Sequence, residues 1–260
     1  MGTISDDAII LRTVDFSESS MVVTFLTREH GKISALAKGA RRLRNPFDSA
    51  LDYMNLCRIL YYPKKGDALD LVTEAKLLTR FDVSTLPAIY AGFHVLEFLE
   101  EFTEKSLPQT ALFDLTKKTL NDIVSLDSQC RDSTLEHPPE ILSRCLLHFE
   151  LRVLEEVGLA PSFRECVECS ANVMAEPGKR VALGMLDGGV LCSRCRPGHR
   201  KVVSLSKQAL GALQQLAHPG ESWKNLRIGP KILGELRSVW NQYLAHQLEH
   251  PVAIFQWFKR

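Results

Sequence analysis

Two closely spaced cysteine pairs constrain this 260-residue chain more than any other feature of its sequence. Cys166 and Cys169 form one C-x-x-C pair, Cys192 and Cys195 form the other, and 22 residues separate them. Each pair can place two thiolates about 2.3 Å from one tetrahedral Zn²⁺, at a spacing close to that of common zinc ribbons. Four thiolates leave no open position for water or substrate, so we expect one zinc ion with a structural role. A redox-active C-x-x-C is the alternative, but the second pair argues against it.

Composition places the chain among ordinary globular proteins, with 45% hydrophobic and 24% charged residues. No run of 18 apolar residues is present, and residues 1–7 carry neither a basic nor an apolar signal region. We therefore expect a cytoplasmic protein with no membrane partner. Seven cysteines in such a chain indicate metal ligands and buried thiols rather than disulfides. Cys57, Cys130 and Cys145 lack ligand spacing and are expected to be small buried hydrophobes.

The first 80 residues have the pattern of β-strands. Short runs rich in β-branched and alternating apolar residues, separated by turn signals, predict five strands at residues 9–14, 21–26, 32–38, 53–61 and 69–76. Five short strands in about 75 residues suit a small closed barrel. The five-stranded oligonucleotide-binding barrel (OB-fold) is the common architecture with this strand count, and an SH3-like barrel fits the pattern almost as well.

From Leu86 onward the apolar period becomes helical. A first helix is followed by predicted helices at residues 109–126, 140–157, 206–217 and 230–250. The predicted fold class is α+β, with an N-terminal five-stranded OB-fold barrel and then an α-helical domain with an inserted four-cysteine zinc knuckle. We place the barrel domain at residues 1–80, the helical domain at 81–260 and the knuckle at about 163–200.

Charge is segregated along the chain although the total is only +1. The net charge is +2 over residues 1–80, −8 over 81–160 and +7 over 161–260, which favours a polyanionic partner for the two flanks. Cations cluster in the loop after the third strand, at the tip between the fourth and fifth strands, and beside the second cysteine pair. The candidate nucleic-acid contacts are Lys38, Arg41, Arg42, Arg44, Lys64, Lys65, Arg194, Arg196, Arg200 and Lys201. A merely solvated charged surface is the alternative.

Several functional classes compete at this stage. The chain has no phosphate-cradling P-loop pattern, no G-x-S-x-G nucleophile motif and no His-rich open metal site, so we do not expect an enzyme. A zinc-ribbon nucleic-acid-binding regulatory factor remains an alternative, and it predicts a strong preference for one sequence or for RNA. A scaffold whose basic loop binds an acidic protein is a third interpretation.

Several stretches resemble the bacterial DNA repair protein family RecO. Residues 8–42 (AIILRTVDFSESSMVVTFLTREHGKISALAKGARR), 51–56 and 71–81 (LVTEAKLLTRF) resemble its N-terminal domain. Residues 158–161 (GLAP) before the first cysteine pair, and 188–191 (GGVL) before the second, resemble the zinc-containing form of the family. The conjunction of these pieces is far more specific than any one of them.

The resemblance implies a fold, an activity and a set of partners. RecO-like proteins have an OB-fold domain and a helical domain, bind single- and double-stranded DNA and anneal complementary strands. With RecR they help load RecA onto DNA coated by single-strand binding protein (SSB), whose acidic C-terminal tail they recognise. By position, Lys38, Arg41, Arg42 and Arg44 become the DNA contacts of the barrel and the four cysteines the zinc ligands.

Overall fold

The computed structural model describes residues 2–42, 44–47, 49–66, 68–131 and 138–248, and its N-terminal part is a closed barrel. The strands are β1 (Ile4–Asp15), β2 (Met21–Thr27), β3 (Gly31–Ala37), β4 (Leu56–Tyr62) and β5 (Asp70–Thr79). They pair in the order β1-β2-β3-β5-β4, with β1 closing against β4, and only β3 and β5 run parallel. This OB-like arrangement confirms the predicted barrel.

Alternation along the strands explains why the barrel closes. Alternate side chains such as Ile10, Val23, Ala35 and Ile59 point inward and are almost fully buried, which removes apolar surface from water on one face of every strand. Cys57 lies in this core as expected, and its burial raises the pKa of its thiol to about 12.

The fourth strand starts later than the sequence predicted. Residues 46–47 and 49–54 form turns, and Met54 adopts a left-handed conformation with φ of 65°. The Asn55 side chain donates a hydrogen bond of 2.8 Å to the Ser49 carbonyl and stabilises this segment. Tyr53 therefore belongs to a turn rather than to β4.

Two helices pack with the barrel, α1 (Leu86–Phe102) and α2 (Thr110–Arg131). The buried Asp127 carboxylate of α2 accepts hydrogen bonds from the backbone amides and hydroxyls of Ser84 and Thr85 at the start of α1. Burial alone would raise the pKa of Asp127, but these hydrogen bonds outweigh it and lower the pKa. The carboxylate thus stabilises the helix terminus that Thr85 does not cap with its own side chain.

A close backbone approach joins the β2–β3 turn to the segment after α1. Gly31 has φ of 71°, and a Cβ atom added there would lie 2.1 Å from the Leu107 carbonyl oxygen. Beside it, the Ser106 amide donates 2.9 Å to the Lys32 carbonyl, and the buried Lys32 ammonium donates 2.5 Å to the Glu100 carbonyl. Only glycine satisfies both the conformation and the space at this position.

Replacing Gly31 with alanine should lower the free energy of unfolding by roughly 2–4 kcal/mol, because a left-handed φ and a steric overlap are added together. Urea unfolding followed by circular dichroism measures the effect. Gly66→Ala is the matched control, since Gly66 has φ of 66° but nothing within 4 Å of an added Cβ. Equal losses for the two variants would contradict the close-approach explanation.

Part of β1 extends beyond its partner β4. β1 pairs with β4 over Ile4–Ile9, whereas its pairing with β2 continues to Asp15. In this extension the Tyr53 hydroxyl donates 3.2 Å to the Thr13 carbonyl and lies 3.4 Å from the Thr13 amide. The Tyr53 ring also meets the Phe93 ring edge-on, with centroids 5.4 Å apart.

The C-terminal part combines helices with a small sheet. Its elements are α3 (Pro138–Glu156), β6 (Arg180–Gly184), β7 (Gly189–Leu191), β8 (Val202–Ser206), α4 (Lys207–Ala217), α5 (Ser222–Asn225) and α6 (Pro230–Gln247). The strands form an antiparallel sheet in the order β7-β6-β8. The sequence predicted α3, α4 and α6 but neither β8 nor α5, and the predicted helix end at residue 250 lies outside the described residues.

Buried polar contacts fix the helices of this part. Arg237 of α6 donates to both carboxylate oxygens of the fully buried Glu150 of α3, at 2.9 and 2.8 Å, and to Ser143. Ser206 caps α4 by accepting a hydrogen bond from the Ala209 amide, and it also donates to the Glu235 carboxylate. β8 therefore continues directly into a capped helix.

Packing separates two compact units, Met1–Pro138 and Pro139–Arg260. The first unit contains the barrel with α1 and α2, so its limit differs from the predicted domain boundary at residue 80, which stays a prediction. Among the described helices, none is both long and apolar enough to cross a membrane.

Candidate metal centre and nucleic-acid interface

The four predicted ligand cysteines meet at one point of the second unit. Their sulfur atoms all lie within 4.8 Å of one another, and the Cys169 and Cys192 sulfurs are 3.6 Å apart. Tetrahedral coordination with bonds of about 2.3 Å places neighbouring sulfurs about 3.8 Å apart. All four are free thiols; Cys166 and Cys192 are buried, whereas Cys169 is exposed. The cluster has the composition and size of a structural metal site.

Backbone contacts around β7 hold the first cysteine pair beside the second. The Val167 amide donates 3.0 Å to the Val190 carbonyl, and Ser162 exchanges backbone hydrogen bonds with residues 188 and 190. A Cβ atom on Gly189 would lie 2.7 Å from the Ser162 carbonyl oxygen and 2.5 Å from a Val167 methyl group. The Gly188-Gly189 turn of the sequence thus lets the two cysteine loops approach each other.

The thiols of the cluster have unequal acidities. Burial raises the pKa of Cys166, but hydrogen bonds from backbone amides of Cys192, Cys169 and Glu168 outweigh it and lower the pKa to about 6. Backbone hydrogen bonding to Cys195 lowers the pKa of Cys192 as well. Hydrogen bonding to the Cys192 and Cys169 sulfurs raises the pKa of Cys195 to about 12. A divalent cation would compensate the charge of four simultaneous thiolates, so the donor set fits a metal ion.

The predicted cations of the knuckle lie on its surface. Arg194, Arg196, Arg200 and Lys201 are all exposed, and they surround the second cysteine pair. His199 is half-buried, with its Nδ1 atom 2.7 Å from the Asp187 carboxylate. This contact ties the loop after Cys195 to the β6–β7 turn.

The basic loop after β3 consists of residues 38–46, and its cations have different environments. Lys38, Arg42 and Arg44 are exposed. Arg41 is also exposed, but it forms an ion pair of 3.2 Å with Asp15 and donates 2.9 Å to the Ser17 carbonyl. Arg41 therefore fastens the basic loop to the β1–β2 loop, while the other three side chains face solvent.

The second group of barrel cations, Lys64 and Lys65, is exposed at the tip between β4 and β5. The Lys64 amide donates 2.7 Å to the Asp70 carboxylate, which fixes the backbone of this tip. The strand pairs Leu36–Leu71 and Leu71–Tyr62 form one row across the barrel. Because β3 and β4 run in opposite directions, Lys38 and Lys64 lie on opposite sides of that row.

The aromatic residues near these cations divide into buried and exposed sets. Phe47 and Tyr61 are buried in the core and cannot stack on a base, whereas Tyr53 is 38% exposed, with its hydroxyl bonded to Thr13 and its ring edge-on to Phe93. Tyr62 is 41% exposed, and Phe16 is 62% exposed in the β1–β2 loop. Sequence reasoning missed Phe16, because a single aromatic residue in the polar run Phe16-Ser-Glu-Ser-Ser20 carries no periodic signal.

Comparison with known protein families shows which family this chain belongs to. The model of the family described as "Recombination protein O N terminal" matches residues 1–81, and that described as "Recombination protein O C terminal" matches residues 83–253. The chain belongs to the RecO family. A relative named DNA repair protein RecO from Rhodopirellula baltica is 38% identical over 82% of this chain and 75% of its own length. The RecO proteins of Myxococcus xanthus and Moorella thermoacetica are 31% and 27% identical, over 94% and 95% of this chain and 91% and 87% of theirs.

Membership of the RecO family agrees with the residues that first indicated it. The matched N-terminal region contains the whole barrel with its basic loop, and the matched C-terminal region contains the four-cysteine cluster. The RecO relatives carry DNA repair in their names, which supports the assignment of this chain to a family of DNA repair and recombination proteins.

Proposed function

We propose that this RecO family member binds single- and double-stranded DNA and anneals complementary strands without an enzymatic step. The observation that carries the proposal is the exposure of Lys38, Arg42 and Arg44 on one loop of an OB-like barrel. Annealing brings two polyanions together, and cations at the contact lower their mutual repulsion. The cations Arg194, Arg196, Arg200 and Lys201 on the knuckle supply a second contact with DNA.

The same proposal includes partners and a cofactor. With RecR, the protein helps load RecA onto single-stranded DNA coated by SSB, and it binds the acidic C-terminal tail of SSB. It acts in the bacterial cytoplasm at the nucleoid. One Zn²⁺ ion is held by Cys166, Cys169, Cys192 and Cys195, where it stabilises the fold of the knuckle and takes no part in chemistry. The sulfur geometry and the donor set described above support zinc at this site.

Annealing of SSB-coated strands tests the proposed function. The purified protein, mixed with complementary strands precoated with SSB and without any nucleotide, should accelerate duplex formation at least about tenfold, because cationic surfaces reduce strand repulsion. Fluorescence of end-labelled strands measures the rate. Reactions with SSB alone, and with a noncomplementary second strand, are the controls.

An unchanged annealing rate would contradict the proposal. A competition experiment with unrelated single-stranded DNAs and RNA separates the proposal from a zinc-ribbon regulator. Such a regulator would bind only one of these competitors strongly. Similar competition by all DNA strands is the expected result, since phosphate contacts carry little sequence information.

A further inference from the structure

The outer surface of the barrel carries a row of apolar side chains. Strand pairing aligns one residue from each strand: Val14 with Val22, Val22 with Leu36, Leu36 with Leu71, and Leu71 with Tyr62. Directly paired residues share a face of the sheet, and the adjacent pairs Val23–Ala35 and Tyr61–Val72 are buried in the core. The five aligned residues, here called the outer row, therefore point away from the core.

Among the described residues of the first unit, the outer row stays partly exposed, unlike other residues on the same surface. On the same face of β2 and β3, the pair Leu26–Lys32 lies two rows away from Val22–Leu36, toward α1. Both of its residues are buried, at 1% and 8% exposure. Val14 and Tyr62, at the two ends of the outer row, are 46% and 41% exposed, and the three residues between them are half-buried. Four inter-strand spacings give this apolar band a length of about 19 Å.

Phe16 lies beside the β1 end of the outer row, on the side of the basic loop. It lies two residues beyond Val14, and its amide donates 3.0 Å to the Ser20 carbonyl, which closes the β1–β2 loop. The basic loop is attached to the same loop through Arg41, whose amide donates 3.1 Å to the Ser19 carbonyl and whose side chain pairs with Asp15. The backbone of an exposed aromatic residue is thus fixed beside the cations of the barrel.

Charge around the outer row favours a polyanion. Lys38, Arg42 and Arg44 lie in the loop at its β3 side, and Lys64 and Lys65 follow Tyr62 at its β4 end. The acids nearest in sequence are Asp15, Asp70, Glu74, Asp67 and Glu18, of which Asp67 lies outside the described residues. Asp15 is paired with Arg41, Asp70 accepts from the Lys64 backbone, and Glu74 is exposed. Glu18 is exposed and weakens the positive field of the β1–β2 loop.

We infer that the outer row, which ends at Tyr62 and has Phe16 beside its β1 end, is a stacking platform for the bases of single-stranded DNA. This inference rests on the proposed function and adds strand selectivity to it. Phosphates on either side contact the loop cations, while unpaired bases lie on the apolar band and stack on the two rings. Bases within a duplex are already stacked and cannot reach the rings, so the platform acts on single strands alone.

The test compares three ligands for Phe16→Ala and Tyr62→Ala: oligo-dT, an abasic strand of equal length, and a duplex. Each substitution should weaken oligo-dT binding about 5- to 100-fold, the range expected for one lost stacking contact. Affinity for the abasic strand and the duplex should stay within about twofold, and the salt dependence of oligo-dT binding should not change, because no phosphate contact is lost. Fluorescence anisotropy at several salt concentrations measures all three.

Matched variants separate stacking from general effects. Tyr62→Phe keeps the ring and should retain affinity. Leu86→Ala removes an apolar side chain that is 66% exposed on α1, outside the platform, and should change nothing. Glu18→Gln should strengthen binding to all three ligands alike, since it alters charge only.

Two outcomes would overturn the inference while leaving DNA binding intact: unchanged oligo-dT affinity in both alanine variants, or equal losses for all three ligands. In either case, weaker binding after removal of Lys38, Arg42 and Arg44 would show that the proposed function still holds. If that cation variant also binds normally, the proposed function fails as well. If the two alanine variants bind oligo-dT normally but no longer bind a protein partner, the outer row is a protein-docking surface and the inference is overturned.

Discussion

Replacing Cys192 with serine is expected to abolish metal binding by the four-cysteine cluster and to unfold the knuckle. The Cys192 side chain is buried, and its sulfur lies 3.6 Å from that of Cys169, so its loss breaks the tetrahedral set. Metal binding by such sites is coupled to folding, and structural zinc contributes about 10–16 kcal/mol of apparent binding free energy in zinc-finger peptides. A loss of roughly 5 kcal/mol or more in unfolding free energy would suffice to unfold a typical domain.

Metal analysis of the purified protein, together with thermal unfolding, measures both effects. The native chain should hold about one metal ion per molecule, and the variant close to none. Cys130→Ser is the matched control, because Cys130 lies on α2 and outside the sulfur cluster. A metal-free native protein with the four thiols joined as disulfides would refute the metal centre.

Removing three cations from the basic loop is expected to weaken binding to single-stranded DNA about 100-fold at 0.1 M salt. Each phosphate contact contributes about 0.7 to the slope of log affinity against log salt, so Lys38→Ala, Arg42→Ala and Arg44→Ala together should flatten that slope by about 2. Arg41 is left unchanged because its substitution would also detach the β1–β2 loop. Salt titrations followed by anisotropy provide both values.

A second triple variant checks that the loss is local. Lys76→Ala, Lys105→Ala and Lys118→Ala remove the same total charge from the first unit but from exposed positions outside the basic loop. This variant should bind DNA within about threefold of the native chain, because screening limits charges that are more than about 10 Å from the strand. Similar losses in both variants would mean that net charge, and not the basic loop, governs binding.

The sequence predicted those features that depend on local pattern. Period-2 alternation located the five barrel strands, helical spacing located α1, α3 and α6, and the two C-x-x-C pairs identified the sulfur cluster. The later start of β4 was missed, because Tyr53 and Met54 are apolar enough to continue a strand pattern although Met54 adopts a left-handed conformation.

Features that depend on distant partners could not be predicted. β8 is a strand because it pairs with β6, about 20 residues earlier, and its five residues carry too little pattern alone. The ion pair of Arg41 with Asp15 likewise follows from the approach of two loops that only the closed barrel brings together. The contact of His199 with Asp187 depends in the same way on two segments of the knuckle that are separated in sequence.

Tyr53 contacts the part of β1 that extends beyond β4, and this contact limits how a ligand can bind there. With its hydroxyl placed against both main-chain polar groups of Thr13, Tyr53 leaves that stretch a poor template for a guest strand. An incoming peptide cannot extend the sheet there by strand addition. A ligand at this stretch of β1 would therefore be held by side chains and not by the main chain of Thr13.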